Sequence, residues 1–202
     1  MKLHNVQQKS PEWFALRLQY PLTASEAQAI GNNGKGLLTL CWEKMAEKYS
    51  INEKERYTNH HLERGVELEP LARSLYELET GNTVTEIGFV TNEDISPIAG
   101  ASPDGLVGDD GLLEIKCFDD VKHFKGTASF EVESQYEWQV QMQLLITGRK
   151  WCDFVAYNPN YKKSLLIKRI EKDEAMQGKI IEGLKLGEQI IKDIEDEIQC
   201  NN

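Results

Sequence analysis

The stretch Ser102-Pro103-Asp104-Gly105, followed by Leu113-Glu114-Ile115-Lys116-Cys117, carries the strongest signal in this chain of 202 residues. Residues 112–117 form a short, apolar-rich run, which predicts a β-strand. Successive side chains of a strand point to opposite faces, so Glu114 and Lys116 are expected on the same face. An acid and a lysine would therefore meet on one side of the strand.

The residues between the two segments predict a hairpin. Gly108-Asp109-Asp110-Gly111 is a turn signal of the kind that joins two antiparallel strands. If strand pairing is symmetric about the middle of this turn, Asp104 lies opposite Ile115. Both carboxylates, of Asp104 and Glu114, would then face one point, together with the backbone carbonyl of Ile115.

Such a set of oxygen atoms is suited to a hard divalent cation. Mg²⁺ and Mn²⁺ bind one or two carboxylates together with water and substrate phosphate. A cation there can polarise a phosphate and activate water, and Lys116 can orient that water or stabilise the developing charge. An ordinary hairpin can also carry Asp104 in a turn and Glu114 with Lys116 on its wet face. The spacing leaves both interpretations open.

Further segments extend the pattern in chain order. They are Ser10-Pro11-Glu12-Trp13 with Arg17, Leu22-Thr23-Ala24-Ser25, residues 65–73 (GVELEPLAR), Gln139-Val140-Gln141 and Tyr157-Asn158-Pro159. With Asp104 and Glu114-Ile115-Lys116, the chain resembles the phage lambda exonuclease and YqaJ-like viral recombinase family, within the PD-(D/E)XK nuclease superfamily. The likeness runs from about residue 9 to about residue 160. It implies an α/β fold with a central mixed β-sheet flanked by helices, and a single nuclease domain over residues 1–202.

The resemblance also implies roles for individual residues. The metal ligands would be Asp104, Glu114 and the carbonyl of Ile115, and Lys116 would be the catalytic lysine. Glu69 would be a further acid near the metal, and Gln141, with Gln139 as a secondary candidate, would position water or substrate. The pocket for a 5′-terminal phosphate would consist of Arg17, Ser25 and Ser102, which offer a guanidinium fork and two hydroxyl donors.

Each of these residues also has an ordinary structural interpretation. Arg17 could lie over Trp13 as a surface residue. Ser25 could be a helix N-cap, a position that also favours anions. Glu69 and Arg73 are spaced as a helical ion pair.

The histidines and cysteines predict no additional metal site. His60, His61 and His123 have no partner at metal-ligand spacing, which favours ordinary surface positions. The four cysteines are Cys41, Cys117, Cys152 and Cys200. Their spacing indicates neither a disulfide framework nor a zinc site, and it does not match an iron–sulfur cluster on four cysteines.

Composition and charge limit the class of protein. The hydrophobic content of 40% suits a sizeable core. No run reaches the ~18 apolar residues of a membrane span, and the polar first residues lack the features of a signal peptide. We therefore expect a cytoplasmic protein without membrane contact, and the resemblance implies a phage or prophage gene in a bacterial host.

The formal net charge of −10 is unfavourable for a DNA partner unless the basic residues are concentrated in one place. Basic residues cluster in two parts of the sequence, at Lys44, Lys48, Lys54 and Arg56, and at Arg149, Lys150, Lys162, Lys163, Lys168, Arg169 and Lys172. An acidic exterior with a basic channel would fit both facts. The resemblance implies such a channel in a homo-oligomeric ring of three subunits, with a single-strand annealing protein as partner.

Periodicity predicts mixed α and β structure. Helices are expected at residues 12–18, 24–30, 37–50, 59–80, 136–147 and 172–199, and strands at 83–91, 98–101, 112–117, 151–157 and 164–170. The helix at 59–80 is expected to kink or restart at Pro70 and to stop at Gly81. Residues 122–134 are expected to form a loop beside the site.

The resemblance implies a Mg²⁺-dependent 5′→3′ exodeoxyribonuclease, with Mn²⁺ able to substitute. The enzyme would digest the 5′-ended strand of linear double-stranded DNA and leave 3′ overhangs for recombination. An endonuclease with the same core and a non-catalytic DNA-binding protein are the alternatives. The intact set of Asp104, Glu114 and Lys116 argues against the non-catalytic alternative.

Overall fold

The computed structural model describes residues 1–51 and 60–200, with only the backbone described at residues 60–63. Lys54 and Arg56 of the first basic cluster lie outside this range. The helices are α1 (Pro11–Gln19), α2 (Ala27–Asn32), α3 (Lys35–Tyr49), α4 (His60–Thr80), α5 (Asp120–Ala128), α6 (Ser134–Thr147) and α7 (Glu174–Cys200), and a 3₁₀ turn covers Ala24–Glu26. The strands are β1 (Lys2–His4), β2 (Leu22–Thr23), β3 (Val84–Thr85), β4 (Phe89–Thr91), β5 (Ala99–Ala101), β6 (Gly105–Val107), β7 (Gly111–Lys116), β8 (Trp151–Tyr157) and β9 (Leu165–Glu171).

These strands form two mixed sheets where the sequence predicted one. The larger sheet has the order β3-β6-β7-β8-β9, and only the β7–β8 pair is parallel. The smaller sheet has the order β1-β4-β5-β2, and β5–β2 is its parallel pair. The predicted α/β class is confirmed, with helices flanking both sheets.

Strand β7 is the centre of the larger sheet and is buried on both faces. Leu113 and Ile115 pack with Ala72 and Tyr76 of α4. Leu112 points the other way, into a cluster that includes residues of α6. Because side chains alternate along a strand, Glu114 shares the α6 face with Leu112. Glu114 therefore lies between the apolar Leu112 and the ammonium group of Lys116 on the face that meets α6.

The C-terminal helix α7 covers the N-terminal helices α2 and α3. Its close approach to α2 depends on Gly183, where an added Cβ would lie 2.0 Å from the carbonyl oxygen of Ile30. The apolar stripe of α7 contributes Ile180, Leu184 and Ile191 to the core around α2. The predicted helix at residues 172–199 is therefore a core element.

The remaining predicted boundaries mostly agree with the structure. α4 continues through Pro70, which lies inside it, so the helix does not restart there. Gly81 follows its end with φ of +71°, as predicted for a helix stop. The expected strand at 83–91 is divided into β3 and β4. Among the described residues, none of the helices combines the length and apolar character needed to cross a membrane.

Two predictions in the region after β7 were wrong. Part of the expected loop at 122–134 is helix α5, whose N-cap Asp119 accepts a hydrogen bond from the Lys122 N–H. His123 in this helix was expected at the surface, but it is fully buried. Its Nε2 lies 2.9 Å from the carbonyl oxygen of Lys163, and its ring stacks on Tyr161. The side chains of His60 and His61 lie outside the described part.

Candidate active site

The candidate site lies where the chain passes from the smaller sheet to the larger one. Ser102-Pro103-Asp104 directly links β5 to β6. Strand β2 runs parallel to β5, with Leu22 paired to Ala99. Because parallel strands end at the same sheet edge, Ser25, which follows β2, is brought to the edge where Ser102 follows β5. The sheet arrangement thus brings together two distant segments of the sequence.

Asp104 is held by main-chain contacts to β7. Its N–H donates to the carbonyl oxygen of Leu113 at 3.1 Å, and its Oδ2 accepts from the N–H of Ile115 at 2.6 Å. The strand pairing of Gly105 with Leu113 places Asp104 opposite Glu114. The predicted register, with Asp104 opposite Ile115, was therefore wrong by one residue. The correction places the two acids directly across from each other.

Glu114 is almost completely buried, with 2% of its surface exposed, and three side chains donate to it. Its Oε1 accepts from Lys116 Nζ at 2.6 Å and from Gln139 Nε2 at 2.7 Å. Its Oε2 accepts from Gln143 Nε2 at 2.7 Å. These donors satisfy a carboxylate that would otherwise be costly to bury.

The acids concentrate negative charge at this point. Burial, Glu114 and Glu69 together raise the pKa of Asp104 well above its ordinary value. Burial alone would lower the pKa of Lys116, but Glu114 and Asp104 outweigh it and raise the pKa, so the side chain is an ammonium. Negative charge exceeds the single positive charge of Lys116, which favours a bound cation.

Glu69 borders the same cleft from helix α4. Its Oε1 accepts from Arg73 at 2.8 Å, as the helical spacing predicts, and Lys9 lies 3.8 Å from its other oxygen. Its carboxylate is close enough to raise the pKa of Asp104. The structure therefore brings Glu69 to the site.

The predicted phosphate-binding residues also converge. Arg17 donates to Ser25 Oγ at 3.2 Å, and its guanidinium lies 4.7 Å from the ring centre of Trp13. The Trp13 indole N–H donates to Ser102 Oγ at 2.8 Å. Ser25 is not the N-cap of the 3₁₀ turn, because Thr23 occupies that position in a capping box with Glu26. We call Arg17, Ser25 and Ser102, the residues predicted to bind a phosphate, the phosphate pocket.

The phosphate pocket and the acids share one cleft of about 660 Å³. Its basic residues are Lys9, Arg17, Lys116 and Lys122. Several members of the predicted basic clusters instead pair with acids elsewhere: Lys44 with Glu26, Lys48 with Glu195, Lys150 with Asp110, Arg169 with Asp153 and Lys172 with Glu174. The cations of the cleft are therefore not those that sequence clustering singled out.

Helix α6 places its glutamines differently from the prediction. Gln139 and Gln143 are one helical turn apart and both reach Glu114. Gln141 lies on another side, where it donates to the carbonyl oxygen of Glu171 and accepts from the N–H of Asp173. The structure does not bring Gln141 to the cleft. The i, i+4 spacing of Gln139 and Gln143 is the sequence signal that would have identified Gln143 as a second glutamine on the side of Glu114.

The donor set fits a hard divalent cation. Among the described residues, no cluster of three or more His, Cys, Asp or Glu side chains is arranged to hold a metal. Asp104 and Glu114 nevertheless offer two carboxylates beside Ile115 in the cleft, with Lys116 as the ammonium beside them. Mg²⁺ binds in this manner, through one or two carboxylates with water and substrate phosphates. Such a site does not need a cage made of protein side chains alone.

Comparison with solved structures shows where this fold occurs. The alkaline exonuclease LHK-Exo from Laribacter hongkongensis superposes with a TM-score of 0.82 and 33% sequence identity, covering 96% of this chain and 100% of the exonuclease. Its complex with dAMP gives the same values. A phage-related exonuclease from Haemophilus somnus 129PT has a TM-score of 0.65 and 16% identity, covering 88% and 96% of the two chains, and shares the fold.

Sequence comparison gives the family. No curated protein sequence matches the chain. The family model of the YqaJ-like viral recombinase domain matches residues 12–150, which include the phosphate pocket, both acids and Lys116. The chain therefore belongs to the YqaJ-like viral recombinase domain family, as its motifs indicated.

Proposed function

We propose that the protein is a Mg²⁺-dependent 5′→3′ exodeoxyribonuclease that degrades the 5′-ended strand of linear double-stranded DNA. It would leave 3′ single-stranded overhangs for phage-type recombination, and Mn²⁺ would substitute for Mg²⁺. The observation that carries this proposal is the convergence of Asp104, Glu114 and Lys116 in one cleft with Arg17 and Ser25. A nuclease of the lambda exonuclease type is supported by the family and by the likeness to LHK-Exo.

In this proposal Asp104, Glu114 and the Ile115 carbonyl would hold the cation, and Glu69 adds negative charge nearby. A bound divalent cation supplies polarisation of the scissile phosphate and a lower pKa for the attacking water. The Lys116 ammonium stabilises negative charge that develops on the phosphoryl oxygens. Gln139 borders the cleft and can orient water or phosphate in addition to holding Glu114.

The phosphate pocket determines which end of the DNA is used. Arg17 presents planar donors suited to phosphate oxygens, and the hydroxyls of Ser25 and Ser102 add further donors. The pocket and the acids lie in one cleft, so a terminal 5′-phosphate and the adjacent phosphodiester bond can be held together. LHK-Exo has been solved with dAMP, and a nucleoside monophosphate is the product that stepwise hydrolysis would release.

The domain organisation, oligomeric state, protein partner and location are also proposed from the likeness to the family. We expect one nuclease domain over residues 1–202, a homotrimeric ring around DNA, a single-strand annealing partner and a cytoplasmic location in a bacterial host. Light scattering at several protein concentrations measures the oligomeric state. A monomer at every concentration would contradict the ring.

The test of the function uses three DNA substrates with Mg²⁺. These are linear duplex with 5′-phosphate ends, the same duplex with 5′-hydroxyl ends, and covalently closed circular duplex. We expect fast release of mononucleotides from the first, slower release from the second and no cleavage of the circle. Cleavage of the circle would establish the endonuclease alternative, and binding without cleavage of any substrate would establish the non-catalytic one.

A further inference from the structure

The Glu114 carboxylate is held at both oxygens by side chains from different elements. Lys116 from β7 and Gln139 from α6 donate to Oε1. Gln143 is the one described residue that donates to Oε2, at 2.7 Å. Contacts at a single oxygen leave a carboxylate free to rotate about its terminal torsion, which is broad. The contact from Gln143 fixes that rotation.

Gln143 differs from Gln139 in its surroundings. The Gln143 side chain is fully buried, whereas Gln139 is only half-buried. The Gln143 Oε1 atom is buried and has no hydrogen-bond partner among the described residues. An unsatisfied buried carbonyl is unfavourable for stability, so packing alone would favour an apolar side chain of similar size. The contact of its amide N–H with Glu114 gives a reason for glutamine at this position.

The type of donor also suits a cation site. A glutamine amide can donate to Glu114 without adding a positive charge. A lysine or arginine there would offset the negative charge that a divalent ion requires, as Lys116 already does at the other oxygen. A neutral donor therefore orients Glu114 and leaves its charge available.

We propose that Gln143 is a positioning residue, which acts through Glu114 to hold one carboxylate in the orientation that binds the divalent cation. This inference rests on the proposed function. Residues that hydrogen-bond to metal-binding side chains typically affect metal affinity or activity roughly 10–100-fold. We expect an effect of that order from Gln143, which borders the cleft behind Glu114.

The experiment compares Gln143→Met with Gln141→Met in the full-length protein. Both substitutions remove a buried amide from α6, but Gln141 contacts Glu171 and Asp173 instead of Glu114. Mn²⁺ binding is measured without DNA by electron paramagnetic resonance, and kcat and KM are measured on 5′-phosphorylated duplex. For Gln143→Met we expect roughly 10–100-fold weaker Mn²⁺ binding and lower kcat with unchanged KM for DNA. Gln141→Met should bind Mn²⁺ as the wild type does.

Circular dichroism establishes whether each variant is folded. If Gln143→Met does not fold, Gln143→Asn replaces it, because this shorter amide keeps a polar group that no longer reaches Glu114. Wild-type Mn²⁺ affinity in the folded Gln143 variant would overturn the positioning role. An equal loss of Mn²⁺ affinity in Gln141→Met would overturn it as well. Failure of the proposed function would be recognised separately, since the wild type itself would neither bind Mn²⁺ nor cleave DNA.

Discussion

Trp13 donates a hydrogen bond from its indole nitrogen to Ser102 Oγ at 2.8 Å. The same ring lies beneath Arg17, and its N–H is also within 3.2 Å of the carbonyl oxygen of Gly88. Ser102 is two residues before Asp104, so Trp13 connects helix α1 to the segment that carries an acid of the site. The position of the phosphate pocket relative to the acids is thereby fixed by one aromatic side chain.

Arg17→Ala should remove the preference for a 5′-phosphate. Charge-assisted hydrogen bonds contribute about 1.5–3 kcal/mol, so kcat/KM on phosphorylated ends should fall roughly 10–100-fold. The rate on 5′-hydroxyl ends should change little, which brings the ratio of the two rates close to one. Initial rates on matched duplexes measure this ratio.

Lys44→Ala is the matched control for Arg17. Arg17 and Lys44 both pair with Glu26, at 3.5 and 3.0 Å, but Lys44 does not border the cleft. Its removal should leave the ratio at the wild-type value. The phosphate pocket would lose its support if Arg17→Ala kept the wild-type ratio of rates on 5′-phosphate and 5′-hydroxyl ends. It would also lose support if this ratio fell equally in Arg17→Ala and Lys44→Ala.

Lys116→Ala should abolish most turnover and leave DNA binding intact. Loss of one donor to developing charge typically costs roughly 10²–10³-fold in kcat. Single-turnover digestion measures the chemical step, and fluorescence anisotropy in EDTA measures binding. Lys150→Ala, at an exposed lysine paired with Asp110 on the hairpin turn, is the control. Digestion at the full rate by Lys116→Ala would disprove the role of the lysine.

Gly183→Ala should destabilise the protein by about 1–3 kcal/mol, the usual cost of overpacking. The new Cβ would meet the backbone of Ile30 at 2.0 Å, which cannot yield as a flexible side chain can. Gly178→Ala in the same helix meets nothing within 4 Å and should stabilise by about 0.5–1 kcal/mol. Chemical denaturation measures the free energy of unfolding of both variants. Equal changes in Gly183→Ala and Gly178→Ala would contradict the close contact of α7 with α2.

The pH dependence of stability should depend in part on Glu26. Burial alone would raise its pKa, but Lys44, Thr23 and Arg17 together lower the pKa below the ordinary value of 4.5. The ionised form therefore stabilises the folded state above about pH 4.5, and this contribution disappears as pH falls through the lower folded pKa.

Glu26→Gln should therefore be less stable than the wild type at neutral pH, and the difference should narrow as the pH falls below 4.5. Glu182→Gln makes the same change in charge at an exposed position of α7 and should show no such trend. Urea unfolding at a series of pH values measures both differences. A constant difference for Glu26→Gln would show that its charge is not stabilised in the fold.

The acids and Lys116 were predictable because they are close in sequence and strand periodicity places Glu114 and Lys116 on one face. The register of the hairpin could not be predicted, because it depends on the length and conformation of the turn. Gly108 adopts φ of +52°, and the loop between β6 and β7 contains three residues, Gly108 to Asp110. The prediction centred the pairing between Asp109 and Asp110, whereas the pairing of Val107 with Gly111 centres it on Asp109. This difference moves the partner of Asp104 from Ile115 to Glu114.

Long-range contacts account for the other differences. Helix α5 contains glycine and threonine and has weak helical propensity, but the Asp119 cap and the contacts of His123 with Lys163 and Tyr161 hold it in place. These partners are distant in sequence, so local patterns do not reveal them. The orientation of Gln141 away from the cleft likewise depends on its contacts with Glu171, at the end of β9, and with Asp173.

Anomalous diffraction from a crystal soaked in Mn²⁺ tests the central claim most directly. We predict a manganese peak in contact with the carboxylates of Asp104 and Glu114 and the carbonyl oxygen of Ile115. The absence of any peak between these groups, with the two carboxylates turned apart even when DNA is bound, would contradict the account.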